Sequence, residues 1–325
     1  VQIDKISETE RQILYLMLMN GRASVAELAK TVGCPAHVAQ HAIKKFRDNR
    51  LLSRRVAVNP YNLGYIGCHF LIGLSGEEHS KREEVAEFLA RYPQITAILE
   101  IGGEYDFFLS MITRSRGELA RINQEISEKM GHLLIKRHIG LPVRHAVFGA
   151  KLLTSRTDLY TECIYDISGE PMSPPLILDD VDHQLLRALT SAEAESSASL
   201  ARSLGVPAST IDYRMKRLES QGIICGDMRE LNGNLLGLTH YLMLVVFKGM
   251  PEEQHAKFYN FSKFHQNITH FTVEVGPWDY MLGVAVRSTN DLANLLRQIR
   301  EVFGPNVSSI TPIPLLNTRK VKDWG

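Results

Sequence analysis

The chain repeats itself, and the repeat limits what it can fold into. Leu28-Ala29-Lys30-Thr31-Val32-Gly33-Cys34-Pro35-Ala36 lines up with Leu200-Ala201-Arg202-Ser203-Leu204-Gly205-Val206-Pro207-Ala208, every pair 172 positions apart. Upstream, Ile13-Leu14 meets Leu185-Leu186; downstream, Lys44-Lys45-Phe46 meets Lys216-Arg217-Leu218 and Leu51-Leu52 meets Ile223-Ile224. After one inserted residue the register continues at a spacing of 173, with Leu63-Gly64 against Leu236-Gly237 and Gly103-Glu104-Tyr105-Asp106 against Gly276-Pro277-Trp278-Asp279. At 325 residues the chain has room for two to four domains. Similarity kept in register over most of that length reads as one structural unit written twice. Between the copies, Ser168 to Pro175 holds three prolines and a glycine, which continue neither helix nor ladder, so this stretch reads as a linker.

Each copy opens with three short helices. Ser7 and Ser24 each stand three residues before a glutamate, Glu10 and Glu27, the spacing of a capping box. Ile13, Leu14, Met17 and Leu18 give the first helix an apolar face, and Val25, Leu28, Ala29 and Val32 the second. Gly33 supplies the tight turn, where a residue without Cβ takes positive φ. A third helix follows over Ala36–Asp48, with Val38, Ala42, Ile43 and Phe46 inward. The second copy repeats this over Val181–Thr190, Ser199–Leu204 and Ala208–Ser220. Three short helices with Gly in the second turn make the helix-turn-helix pattern, whose last helix enters the DNA major groove. The stretches after the third helices, Leu51–Asn59 and Ile223–Asn232, read as wing strands.

The outward positions of the third helices are therefore the candidate DNA contacts. In the first copy they are His37, Gln40, His41, Lys44 and Lys45, with Arg47, Arg54 and Arg55 behind. In the second they are Ser209, Thr210, Tyr213, Arg214, Lys216 and Arg217. Arg and Lys pair with phosphates and guanine; Gln, Ser and Thr read base edges. The formal net charge is only +1, so any nucleic-acid surface is local. Residues 1–60 carry ten basic and five acidic side chains, a balance of +5; residues 179–230 carry six and nine, a balance of −3. Phosphate attraction dominates affinity, so the first module is expected to bind DNA more strongly.

The rest of each copy runs strand, helix, strand, strand, helix, strand. In the first copy the elements are Ile66–Leu74, Lys81–Tyr92, Ile95–Ile101, Phe107–Thr113, Glu118–Met130 and Leu133–Ile139, with a further strand over Arg144–Leu153. In the second they are Tyr241–Phe247, Glu252–His265, Thr269–Val275, Tyr280–Arg287, Asn290–Phe303 and Val307–Ile313. This βαββαβ order is ferredoxin-like and leaves one apolar sheet face open, so these modules are expected to pair. The fold class is α+β: two winged helix-turn-helix domains, each followed by a ferredoxin-like domain. The expected boundaries are 1–60, 61–155, a linker at 156–177, 178–232 and 233–325.

On these residues the chain resembles the Lrp/AsnC (leucine-responsive, feast/famine) transcription regulators, in tandem. The resemblance rests on Glu27-Leu28-Ala29…Gly33 and Ser199-Leu200-Ala201…Gly205, on the Arg214-Met215-Lys216-Arg217-Leu218-Glu219 helix and Gly222-Ile223-Ile224, and on the two Gly-x-aromatic-Asp hairpins. It implies a transcription factor whose α/β module, called RAM, dimerises and binds a small effector, commonly an amino acid, beside that hairpin. Carried over, the effector positions are Gly103, Tyr105 and Asp106, and Gly276, Trp278 and Asp279. Glycine would expose N–H groups to a carboxylate and aspartate would receive an ammonium; the alternative is a plain hairpin turn. The implied partners are double-stranded DNA, an amino-acid effector and further copies of the chain, as a homodimer or larger assembly through the RAM modules. Two arrangements are open: the RAM modules close on each other within one chain, or like modules pair across chains. Pro35 and Pro207 stand where the family usually has serine, which removes a side-chain cap from the recognition helix.

No catalytic residue, metal site or cofactor is expected. Nucleophile elbow, P-loop, zinc-ligand and dinucleotide patterns are missing. The four cysteines, Cys34, Cys68, Cys163 and Cys225, form no CxxC pair and suit a reducing cytoplasm. The first residues carry no signal-peptide core and no apolar run reaches membrane-span length. One enzyme class shares the two-domain architecture and occurs in tandem, the siroheme decarboxylases of haem biosynthesis. Under that alternative, His132, His138, His145, His240 and His270 would line a tetrapyrrole pocket. The Gly-x-Tyr/Trp-Asp hairpins favour regulation.

Overall fold

A computed structural model describes residues 6–49, 51–76, 81–166, 177–190, 197–231, 237–249 and 251–321, without the side chains of 53–55 and 230. The Ser168–Pro175 stretch lies outside the described residues, as do the side chains of Arg54 and Arg55.

Both halves run through the same elements. The first contains α1 (Glu8–Met19), α2 (Val25–Val32), α3 (Ala36–Asp48) and β1 (Leu52–Val58), then β2 (Ile66–Leu74), α4 (Arg82–Ala90), β3 (Ile95–Ile101), β4 (Phe107–Thr113), α5 (Arg116–Met130) and β5 (Leu134–Val147). A short strand, β6 (Cys163–Asp166), follows. The second half contains α6 (Asp180–Thr190), α7 (Ser197–Leu204), α8 (Ala208–Ser220) and β7 (Ile224–Leu231), then β8 (Thr239–Phe247), α9 (Glu252–Phe264), β9 (Ile268–Val275), β10 (Tyr280–Val286), α10 (Thr289–Phe303) and β11 (Val307–Val321).

Local signals act as read. Ser7 with Glu10, and Ser24 with Glu27, form complete capping boxes. Gly33 closes α2 in the left-handed region, at φ 81°. Pro35 and Pro207 start α3 and α8 in extended geometry with no side-chain cap. Ile13, Leu14, Leu28, Ala39, Ala42 and Phe46 form one three-helix core, and Leu185, Leu186, Leu189, Leu200, Ile211 and Leu218 the other.

The wing expectation is corrected. β1 and β7 form no wing of their own; they pair antiparallel with each other, Leu52 opposite Leu231 and Arg55 opposite Met228. A lone strand leaves a row of backbone donors and acceptors unpaired, and the other half's strand satisfies them. The exchange reaches the core, where Val56 and Val58 of β1 pack among α6, α7 and α8.

The sheets hold a second exchange. β5-β2-β4-β3 and β11-β8-β10-β9 each follow the ferredoxin-like order, with every neighbour antiparallel. Two strands expected on either side of residues 140–143 are instead one 14-residue strand, β5, with Pro142 at a register shift. Likewise β11 runs past Ile313 to Val321. The first part of each long strand pairs within its own module. The second part crosses over, β5 to β9 and β11 to β3. The eight strands therefore close into a ring, and the two open faces cover each other. Leu71, Ile101, Tyr105, Phe108, Leu242, Leu244, Trp278, Met281 and Ile313 fill the space between them. Burying one such side chain fully is worth about 1.5–3 kcal/mol. Of the two arrangements open from sequence, the modules close within one chain.

The expected 156–177 linker is shorter than read. Thr157–Leu159 is a 3-10 turn whose Leu159 packs on the α1–α3 core, and β6 extends the sheet beside the end of β5. Just before it, Lys151 is fully buried and donates to the carbonyls of Ser262 (2.7 Å) and Lys263 (2.6 Å) at the end of α9. Burial pushes its pKa down to about 6. Between that value and its ordinary one the unfolded chain binds one proton more than the folded chain, so this group makes stability rise with pH. Between pH 6.5 and 8.5 the stability of the parent should climb about 1.4 kcal/mol per pH unit more steeply than that of Lys151→Met. Equal slopes in denaturant titrations would show that Lys151 stays protonated in the folded chain. Among the described residues, no helix is long and apolar enough to cross a membrane.

Candidate nucleic-acid interface and effector hairpins

α3 has two unlike faces because its apolar residues recur at helical spacing. Ala39, Ala42 and Phe46 are fully buried, whereas His37, Gln40, His41, Lys44 and Arg47 are exposed. Lys45 departs from its expected role. Its Nζ lies 2.8 Å from Glu10 Oε1 on α1, so it ties α3 to α1 rather than standing ready for phosphate.

α8 differs more. Ser209, Tyr213 and Lys216 are exposed and Thr210 is half-buried. Arg214 and Arg217 are not free: Arg214 bonds Asp179 and Asp182 at 2.7 Å, and Arg217 bonds Asp182 at 3.0 Å. The Asp182 side chain has no exposure, so its charge must be matched inside the fold, and the two arginines match it. The acids that lower the second module's charge thus also occupy its helix arginines.

Ion pairs join the two three-helix units. Arg22, in the turn between α1 and α2, bonds Glu219 at the end of α8 (2.6 Å) and Asp227 on β7 (2.7 Å). Gly21 donates to the Asp227 carbonyl, and a Cβ there would lie 2.6 Å from Asp227 Oδ1. No local sequence pattern announced this contact.

The hairpin aspartates have a structural task. Asp106 Oδ2 accepts the Leu74 N–H and Asp279 Oδ2 accepts the Phe247 N–H, both at 2.7 Å, at equivalent places in the two halves. Asp106 Oδ1 also accepts from Arg82 at 2.7 Å. Each carboxylate fastens its hairpin to the first strand of its module, and Asp106 has both oxygens engaged. Tyr105 is buried, with its hydroxyl 2.8 Å from His138 Nδ1 and the Lys136 ammonium 4.9 Å from its ring centre. Gly103 is exposed in the left-handed region at φ 85°. Gly276 is needed for close approach, since a Cβ would lie 2.9 Å from the Ile139 carbonyl. Trp278 is buried between the sheets, and its Nε1 has no partner among the described residues.

One buried contact there was not read from the sequence. His69 Nδ1 on β2 and Glu274 Oε1 on β9 lie 2.6 Å apart, and the Glu274 side chain has no exposure. The only signal was strand phase: Glu274 alternates with the inward-packing Phe271 and Val273 and so faces the opposite sheet. His240 shares the phase of Leu242 and Leu244, and burial lowers its pKa. His145 bonds Thr272 at 2.8 Å and stacks on His270, whereas His132 is exposed at the end of α5. Among the described residues no group of three or more His, Cys, Asp or Glu side chains is placed to hold a metal ion.

Comparison with known proteins follows this division. The AsnC-type helix-turn-helix domain model matches residues 178–219, and the Lrp/AsnC ligand binding domain model matches residues 68–134. The HTH-type transcriptional regulator FL11 of Pyrococcus abyssi is 30% identical over 115 residues, 35% of this chain and 75% of that protein. An uncharacterised HTH-type transcriptional regulator of Pyrococcus horikoshii is 30% identical over 142 residues, 40% of this chain and 88% of that one. The chain belongs to the Lrp/AsnC family. Each such relative corresponds to well under half of this chain. A whole-chain likeness is to the siroheme decarboxylase NirDL, at a TM-score of 0.63 and 12% identity, over 97% of this chain and 93% of that one. At that identity the likeness shows a shared fold, including the arrangement of both halves.

Proposed function

We propose that the chain is a DNA-binding transcriptional regulator of two family units in tandem, 1–60 with 61–155 and 178–232 with 233–325, answering to a small effector, an amino acid by family precedent. The observation that carries it is the exposed His37-Gln40-His41-Lys44-Arg47 face of α3 in a chain of this family. α3 supplies most of the phosphate attraction; α8 contributes Ser209, Thr210, Tyr213 and Lys216. With β1 paired to β7, one chain presents both recognition helices as a fixed pair, and the two read unlike half-sites. The protein works in the cytoplasm; with both RAM faces closed on each other within one chain, no further copy is needed to cover them.

Selection of bound sequences from a random duplex pool with the full chain tests this reading. An enriched site with two unlike halves about one helical turn, or a multiple, apart is expected; no enrichment over non-specific binding would sink it. The effector is tested by thermal shift against the amino acids, where a ligand at a hundred times its Kd should add about 2.7 kcal/mol of apparent stability. Asp106→Asn should lower stability without abolishing that shift, because its carboxylate holds Leu74 and Arg82.

A second reading has one observation in its favour. The fold shared with the NirDL decarboxylase spans the whole chain, and His69, His138, His145, His240 and His270 lie on the strand faces turned toward the opposite sheet. Against it, the space between the sheets is filled by the large side chains around Trp278 and Phe108, and His145, stacked on His270, sits beside Tyr165, which packs on β1 and β7. Siroheme added to the chain should show no spectral change on incubation; a decarboxylated product would overturn the regulatory reading.

A further inference from the structure

The ring has two crossover junctions related by the 173-residue spacing, and they are chemically unlike. At one, His69 on β2 is opposite Gly140 on β5, and Pro142 on β5 is opposite Glu274 on β9. At the other, Leu242 on β8 is opposite Ile313 on β11, and Leu315 on β11 is opposite Ile101 on β3. Position by position, His69 corresponds to Leu242, Gly140 to Ile313, Pro142 to Leu315 and Glu274 to Ile101. On the inter-sheet face one junction thus holds a hydrogen-bonded His–Glu pair and the other only aliphatic side chains; on the outer face of the second, Arg319 of β11 pairs with Glu83 and Glu100 of the first half. Gly140 belongs to the same arrangement, since a Cβ there would collide with the Glu274 carboxylate and lie 2.9 Å from Trp278 Cζ2.

We infer that the His69–Glu274 pair is the element that makes the inter-sheet face of one half accept the other half and refuse a copy of itself. In a pairing of two first halves, each junction would set His69 against Ile101. In a pairing of two second halves, each would set Leu242 against Glu274. Such pairings would bury two imidazoles and two carboxylates opposite aliphatic groups. A buried carboxylate without a partner is among the costliest groups a fold can hold. Only first half against second half satisfies both members. The tether between the halves raises their effective concentration for one another. It does not stop two chains from exchanging halves when concentrated, nor select among the pairings then available. Most of this face is aliphatic and aromatic and therefore indifferent to which half it meets, so on this face selection falls to the polar pair, as on the outer face it falls to Arg319 with Glu83 and Glu100. The inference rests on the fold alone and stands whether or not the chain binds DNA.

The test uses the full chain in which Arg319→Ala with Glu100→Val copies Ala146 and Val273 of the first junction and removes the outer-face ion pairs; its reporter is Leu141→Cys with Val275→Cys. These residues are register partners across β5 and β9, and both are exposed. A disulfide between them, identified by peptide mass after refolding and oxidation, forms only where a first half meets a second half. In this background the chain should refold monomeric and fully linked at low and high concentration. His69→Leu with Glu274→Ile copies the aliphatic junction into the polar one. Leu242→His with Ile101→Glu instead puts the pair into both junctions, so every pairing is satisfied. Either change removes the distinction, and unlinked chains in dimers should rise at least about tenfold on refolding at high concentration. The second variant keeps the original pair, so a failure of the first to fold leaves the question open to it. Both variants refolding as linked monomers like their parent would overturn the inference.

Discussion

Replacing His69 with leucine should cost the folded chain about 1–3 kcal/mol, the range for leaving a buried hydrogen-bonding group without its partner. Glu274 has no exposed side-chain surface, its Oε1 is held by His69, and its Oε2 has no partner among the described residues. Without the imidazole the whole carboxylate would be left with neither water nor a side-chain donor. Adding Glu274→Ile should recover most of the loss, because the junction then matches the Leu242–Ile101 one, which packs without polar groups. A cycle of the two single variants and the double variant, followed by denaturant unfolding, measures the coupling. Additive losses, with no recovery, would mean that the two side chains do not depend on each other.

The second large effect is on DNA. Lys44→Ala with Arg47→Ala removes two exposed charges from α3 while leaving its buried face intact. Each lost phosphate contact should reduce the salt slope of binding by about 0.9, so the double change should reduce it by about 2. Affinity at low salt should fall roughly ten- to a hundredfold for every sequence alike. Gln40→Ala should act differently, relaxing discrimination at one base pair by about 1–3 kcal/mol. On α8, Arg214→Ala should lower stability more than it changes the salt slope, because Arg214 neutralises Asp182. An unchanged slope in the Lys44/Arg47 variant would remove α3 from the phosphate contacts and leave the DNA reading without its main support.

Much of the fold was legible because its signals are short-range. Ser7 and Ser24 with their glutamates fixed two helix starts, and Gly33 fixed a turn. The strands expected over Ile66–Leu74 and Phe107–Thr113 have the same bounds in the structure. The candidate site was legible only in part. The helical spacing of α3 correctly put His37, Gln40, His41 and Lys44 outside. The same reasoning put Lys45, Arg214 and Arg217 outside as well, and there it failed. A long basic side chain near the edge of the apolar face bends toward any buried acid, and Glu10 and Asp182 come from other helices. The hairpin aspartates carry a task that turn chemistry did not announce, because the N–H groups of Leu74 and Phe247 that they accept from lie on another strand.

Taken alone, the sequence determined the elements, their order in each half, the two three-helix cores and the apolar sheet faces in need of cover. Periodicity and turn chemistry are properties of neighbouring residues, and neighbours are what a sequence displays. Only the tertiary structure decided what covered those faces. It joined β1 to β7, carried β5 and β11 across to the opposite sheet, and set His69 against Glu274 from 205 positions away. Edge strands and buried polar groups must be satisfied by something, but backbone hydrogen bonds are alike along every strand and do not name their partner. The choice between a strand of the same half and one of the other is made by side chains that meet only once the chain has closed.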